Sequence, residues 1–197
     1  MEKMMMSDFK IIEESKKTLS MNPKKFAMWL FIASVLMLFA AFTSAYIVRR
    51  AEGNWVYFEL PDLFYYTTVI ILLSSITMQW AYSAAKKNNL EMVKIAVGVT
   101  ALLGVAFVIG QFFGWSQMAD QGVYLVGNPS GSFVILLTLV HGVHLLSAVV
   151  FVLIVLNSSF KFKIHSKSMS QIEMCTTYWH FLGGLWLYLF VFLLLNR

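Results

Sequence analysis

The residues of this chain whose types and spacing suit chemistry are His141, His144 and His180. A neutral imidazole can ligate haem or a metal, pass protons, or hold a hydrogen bond between two helices. His141 and His144 lie three positions apart, which places them on one face of a helix, and Glu173 precedes His180 by seven residues. With about 1.5 Å of rise per residue, His144 comes about 18 Å from one end of its hydrophobic run. On the same count His180 comes about 12 Å from the same side of the next run, with Glu173 about two turns below it. The two rings are thus at depths where they can meet across a helix pair. Three readings follow: a structural polar seam, ligation of haem or a metal by His144 and His180, and a proton relay. The structural reading leads, because the acid or thiolate partners of a metal site are missing, and the single cysteine, Cys175, belongs to no CxxC or Cys/His cluster. The expected seam comprises His141, His144, Glu173 and His180, with Trp179, Trp186 and Gln111. His165, beside three loop lysines, reads as an exposed residue.

The elements that must position these side chains are hydrophobic runs. The chain is 59% hydrophobic and only 13% charged, where a soluble domain carries about a quarter charged residues, so water is the wrong solvent for most of it. Five segments, 26–48, 63–85, 93–114, 131–156 and 172–195, meet or approach the roughly 20 residues needed to cross a bilayer. Each is too long for a strand and none alternates as a barrel strand does, so the expected fold is all-α, a bundle of five transmembrane helices. Residues 1–22 read as an N-terminal tail and 23–197 as the membrane domain. The first run is too long for a secretory signal core of about 7–15 residues and is read as a retained helix.

Charge sets the expected orientation. Lys3, Lys10, Lys16, Lys17, Lys24, Lys25, Lys86, Lys87, Lys94, Lys161, Lys163 and Lys167 fall on one side of the five spans, and Arg49, Arg50 and Arg197 on the other. The positive-inside rule therefore puts the N-terminus in the cytoplasm and the C-terminus outside. The net charge of +5 belongs to these flanks, and no nucleic-acid footprint accompanies it. All ten carboxylates lie in the tail, the loops or the span edges, which leaves the chain poorly equipped to pump ions by itself. Glycines 98, 104, 110, 114, 142, 183 and 184 are expected to let helices approach closely. Gln79 and Gln111 are expected to hydrogen-bond across helices, and Trp29, Trp55, Trp80, Trp115 and Trp179 to anchor the span ends at the membrane interface.

Two runs carry a family resemblance. Gly131-Ser132-Phe133 leads into Val140-His141-Gly142-Val143-His144, and Tyr178-Trp179-His180-Phe181 is followed by Gly184-Leu185-Trp186-Leu187-Tyr188-Leu189-Phe190. In this order, on adjacent spans, they resemble subunit III of the haem-copper cytochrome c oxidases, whose last two helices carry a similar HGxH pair and YWHF run. Glu173 matches an acid the family places before that run. Trp29 to Ser34 and Ser44-Ala45-Tyr46 resemble the opening helix of the short, five-helix bacterial members, and Gln111 followed by Trp115 resembles the family's end of the middle helix, so the likeness covers about residues 26–195. Three acids common in the family are replaced here by Val35, Gly114 and Gly183, and the two extra N-terminal spans and lipid cleft of seven-helix members are not carried over.

The resemblance implies an accessory, non-redox subunit of a proton-pumping oxidase that passes electrons from cytochrome c to oxygen. It would support the assembly, lipid environment and proton uptake of the catalytic subunit I. Haem and copper would reside in partner subunits, this chain would bind phospholipid but no cofactor of its own, and it would reside in a bacterial inner membrane. The alternative is a small membrane b-type cytochrome with His144 and His180 as haem ligands.

Overall fold

A computed structural model describes residues 22–161 and 169–196. The tail through residue 21, loop residues 162–168 with His165, and Arg197 lie outside the described residues. Every regular element among the described residues is a helix: α1 (Pro23–Ala51), α2 (Leu63–Lys86), α3 (Leu90–Asp120), α4 (Pro129–Phe160) and α5 (Ser170–Asn196). All five are long and apolar enough to cross a membrane.

Most of the helices overshoot the hydrophobic runs that specify them. α4, with 32 residues, is about 48 Å long against a hydrocarbon core of about 30 Å, so it tilts or protrudes. Its length is set by polar stop signals outside the apolar run. Asn22, Asn89 and Asn128 each turn a side-chain oxygen onto a backbone N–H of the first helical turn, and Pro23 and Pro129 follow two of those caps directly. Asn128 also accepts from the Ser130 hydroxyl at 2.6 Å and donates its amide to the Asn54 carbonyl at 3.2 Å, which ties the α1–α2 loop to the start of α4.

α2, α3, α4 and α5 form a closed ring of four helices, each packed on its two neighbours, and α1 lies against α4 and α5 only. Lys25 of α1 meets Glu173 of α5 at 2.7 Å, while at the other end Tyr46 and Arg50 of α1 each donate a hydrogen bond to Asn196 of α5 at 3.1 Å. α1 and α5 therefore run parallel, as the first and last of five spans must.

In lipid, apolar residues face outward as well as inward: Met37, Leu102 and Leu195 are among the most exposed side chains, while Phe39, Phe64 and Phe107 are fully buried. Helix association then rests on close van der Waals contact and inter-helix hydrogen bonds, since lipid tails are as apolar as the core. α3 supplies the closest approaches. A methyl group added to Gly104 would sit 2.6 Å from the Trp179 ring of α5, one on Gly110 2.5 Å from Thr67, and one on Gly114 2.5 Å from Phe64, both of α2. Gly183 is tight to a lesser degree, 3.1 Å from the Ser75 hydroxyl. Gly98 and Gly184 have open space and Gly142 has a single contact at 3.9 Å, so the expectation of tight packing fails at those three. Helical glycine marks a close approach only where it faces a neighbour.

Gly104→Ala should cost about 1–3 kcal/mol, because the buried Trp179 ring has nowhere to move. Gly98→Ala should stay within about 0.5 kcal/mol. Thermal unfolding of the two variants in detergent checks the difference.

Candidate functional site

Several polar side chains inside the bundle follow one pattern, in which a hydroxyl serves as an adapter between helices. Thr68 of α2 donates its proton to the Phe64 carbonyl one turn back at 2.6 Å, and its oxygen accepts the Trp186 indole N–H of α5 at 2.9 Å. Ser74 does the same, donating to Ile71 O at 2.7 Å and accepting from Trp179 Nε1 at 3.1 Å. Thr67 accepts from Gln111 Nε2 of α3 at 3.1 Å, and Thr138 of α4 accepts from Trp115 Nε1 of α3 at 3.0 Å. Thr43 of α1 accepts from the Tyr188 hydroxyl at 3.2 Å. A Ser or Thr hydroxyl has one donor and two acceptor lone pairs, so it can bond back to its own helix and still receive an N–H from the next.

No motif or spacing singles out these hydroxyls. Their signal was present as Ser and Thr within otherwise apolar runs, where a polar group must find a protein partner.

The seven residues of the expected seam are dispersed over separate partners. His144 donates from Nδ1 to the Val140 carbonyl of its own helix at 2.7 Å and packs against Phe31 and Phe39 of α1, ring centroids 6.2 and 5.9 Å away. His180 bonds through Nε2 to Gln79 Oε1 of α2 at 3.2 Å, the cross-helix role expected of that glutamine. Glu173 pairs with Lys25. His141 is fully buried with its ring against Trp186, Phe39 and Phe107. Among the described residues, no hydrogen bond joins one of the seven to another. His141 stacks, tilted, on Trp186, with ring centroids 5.2 Å apart.

Two tryptophans depart from interfacial anchoring. Trp179 is completely buried and Trp115 partly so, each with its N–H given to a hydroxyl, whereas Trp29 and Trp80 are exposed as anchors should be. The reason for Trp179 is the Gly104 notch, which admits the indole edge to the core.

Among the described residues no group of three or more His, Cys, Asp or Glu side chains is placed to hold a metal. Cys175 is buried and free. A groove of about 550 Å³ lies between α1 and α5, lined by Leu36, Phe39, His180, Phe181, Gly184 and Tyr188 among others. Its shape and almost wholly apolar wall suit a hydrocarbon chain rather than a reacting polar substrate.

The family profile described as cytochrome c oxidase subunit III matches residues 54–196. Among similar proteins, cytochrome c oxidase subunit 3 of Corynebacterium diphtheriae is 28% identical over 170 residues, covering 82% of this chain and 82% of that protein. Cytochrome bo(3) ubiquinol oxidase subunit 3 of Buchnera aphidicola is 26% identical over 175 residues, 85% of this chain and 88% of that protein. Cytochrome c oxidase subunit 3 of Rhipicephalus sanguineus is 31% identical over 193 residues, 88% of this chain and 70% of that protein.

Thr68→Val keeps the side chain's shape but strands the buried Trp186 N–H, which should cost about 1–3 kcal/mol. Thr68→Ser, which keeps the acceptor, should recover most of that loss. Unfolding followed by tryptophan fluorescence distinguishes the two.

Proposed function

Because the chain belongs to the cytochrome c oxidase subunit III family, and so is an accessory membrane subunit of a haem-copper oxidase, we propose that it takes no part in electron transfer and supports a neighbouring catalytic subunit I. The single observation that carries this reading is the dispersal of its intramembrane histidines: His144 and His180 are each engaged on a different element, α4 and α2, and His141 is enclosed by aromatic rings. A haem held between His144 and His180 would need both imidazoles to face one iron.

In this reading the haem and copper of the oxidase reside in partner subunits, which reduce oxygen with electrons from cytochrome c and pump protons. This chain covers one flank of subunit I, steadies its assembly and lipid surroundings, and helps sustain proton uptake there. The absence of any carboxylate from the middle of a span supports a role beside the proton path rather than on it. The apolar groove between α1 and α5 takes an acyl chain of a bound phospholipid. The lysine-rich flanks support an orientation with the N-terminus in the cytoplasm and the C-terminus outside. The extent of the match to the bacterial relatives, 82% and 88% of their lengths, supports the short bacterial type and an inner-membrane location.

A mild-detergent pull-down of the tagged chain tests the reading. A large haem-copper subunit should co-purify with oxygen-reducing activity driven by cytochrome c, and the separated chain should be colourless. A lone chain carrying stoichiometric b-type haem would overturn it, and activity with quinol alone would change the donor. His144→Leu or His180→Leu should weaken assembly or lipid retention while leaving the metal content of each assembled complex unchanged, as measured by pyridine haemochrome and copper analysis.

A further inference from the structure

Two loops on the face opposite the lysine-rich flanks, residues 52–62 between α1 and α2 and residues 121–128 between α3 and α4, display apolar side chains beyond the spans. Val56, Tyr57, Tyr124, Leu125 and Val126 are all exposed, Val126 to 86%. Their height sets them apart from the lipid-facing residues of the helices. The apolar run of α3 ends at Gly114, and Ser116, Gln117 and Asp120 follow it before the loop begins. Asp120 thus stands about 9 Å beyond that run, past a head-group layer of about 5–8 Å. The other loop is held at the same level, because Asn128 donates its amide to the Asn54 carbonyl at 3.2 Å.

The exposure is built in by the loop backbone. Val123 N donates to the Met118 carbonyl at 2.9 Å, and the Val123 side chain lies against Gly131, where an added methyl would come 2.6 Å from it. The Ser132 hydroxyl donates to the Leu125 carbonyl at 2.7 Å. Val123 is therefore turned in and partly buried, while the three residues after it are turned out. Tyr57, Tyr124 and Val126 line one hollow of about 320 Å³ between the two loops. Beside it, Glu59, Asp62 and Asp120 line a second hollow of about 330 Å³, and Gln121 lines both. None of these three carboxylates forms an ion pair among the described residues, and neither loop contains Lys or Arg. The arginines at the end of α1 are engaged elsewhere, Arg49 on Glu52 at 3.0 Å and Arg50 on Asn196 at 3.1 Å.

We infer that the two loops form a docking surface for an extramembrane segment of another oxidase subunit. That segment seats apolar side chains in the hollow of Tyr57, Tyr124 and Val126 and turns a Lys or Arg side chain onto Glu59, Asp62 and Asp120. An exposed apolar patch with a polar rim marks a site of interaction, and aromatic side chains are enriched at the centres of protein interfaces. Complementary charge at the rim fixes the register of the partner. Loops already tied down lose little further freedom when the partner arrives. A lipid surface is the rival occupant, but segments that lie on membranes turn Lys and Arg toward the lipid phosphates, whereas this patch is flanked by carboxylates that phosphates repel. A basic polypeptide satisfies both hollows at once, and membership of an oxidase subunit family supplies neighbouring chains to provide it.

The test is photo-crosslinking in intact membranes, with p-benzoylphenylalanine incorporated in place of Val126. Irradiation should join this chain to one polypeptide of the oxidase, and mass spectrometry should map the crosslink to an extramembrane segment with Lys or Arg close by. Adducts with lipid alone, no adduct, a polypeptide from outside the oxidase, or an oxidase segment without basic residues would each overturn the inference. Raising the salt to about 1 M, where the Debye length falls to about 3 Å, should lower the yield several-fold. Glu59→Gln, Asp62→Asn and Asp120→Asn together should lower it to the same level at low salt and abolish its salt dependence. A yield indifferent to salt in the chain with its carboxylates intact would overturn the role of the acidic hollow, whether or not the triple variant assembles.

Discussion

The bond from the Trp186 indole to Thr68, with its counterpart from Trp179 to Ser74, is where the constraint on this molecule is plainest. Both indoles are buried in a bundle surrounded by lipid, so their N–H groups must find acceptors inside the protein. α2 provides those acceptors by placing hydroxyls on the face toward α5, each with its own proton already given back to the α2 backbone. Two large aromatic side chains then fix the rotation and depth of α5 against α2. The same device joins α3 to α2 through Gln111 and Thr67, and α3 to α4 through Trp115 and Thr138. The ring of four helices follows from these bonds and from the glycine notches of α3 that let the side chains in.

α1 stands outside that ring, and its attachments differ in kind. At the end bonded to Asn196 it contributes Tyr46, whose ring meets Trp55, Phe133 and Phe192, and about one turn inward Thr43, which receives the Tyr188 hydroxyl. At one end it is held by the half-exposed Lys25–Glu173 pair, and pairs of that exposure are worth only about 0–1 kcal/mol. The long apolar groove lies between α1 and α5. The bundle is thus a helix ring closed by indole–hydroxyl bonds, with one helix laid alongside over an apolar groove.

Much of the architecture was legible in the residues. Five apolar runs of bilayer length leave helices as the only way to satisfy so much backbone in lipid, and the structure returns five helices at those places. The ends were less legible, because Asn22, Asn89 and Asn128 extend three of the helices beyond the hydrocarbon-facing runs. Within the bundle, periodicity carried little information: helices apolar all round give no stripe that marks the inner face. That is why Trp179 reads as an interfacial anchor from its position near a span end and proves to be core, and why Gly98 and Gly184 read like Gly104 and Gly114 yet face open space.

Sequence by itself determined the solvent, the number of spans, and the family, because chain length in lipid, charge at the flanks and the two motif runs are local properties of the polymer. It also singled out the side chains that need partners, since an intramembrane His, Gln or Trp must bond to something. Only tertiary structure decided which partner each one takes. His144 turns to its own helix, His180 to Gln79, Glu173 to Lys25, and His141 stacks on Trp186, although their depths alone allowed a single seam. Depth along a helix is fixed by 1.5 Å of rise per residue, whereas rotation about the helix axis is fixed only when neighbouring side chains interlock. In this bundle that interlocking is set by the indole–hydroxyl bonds and the notches of α3.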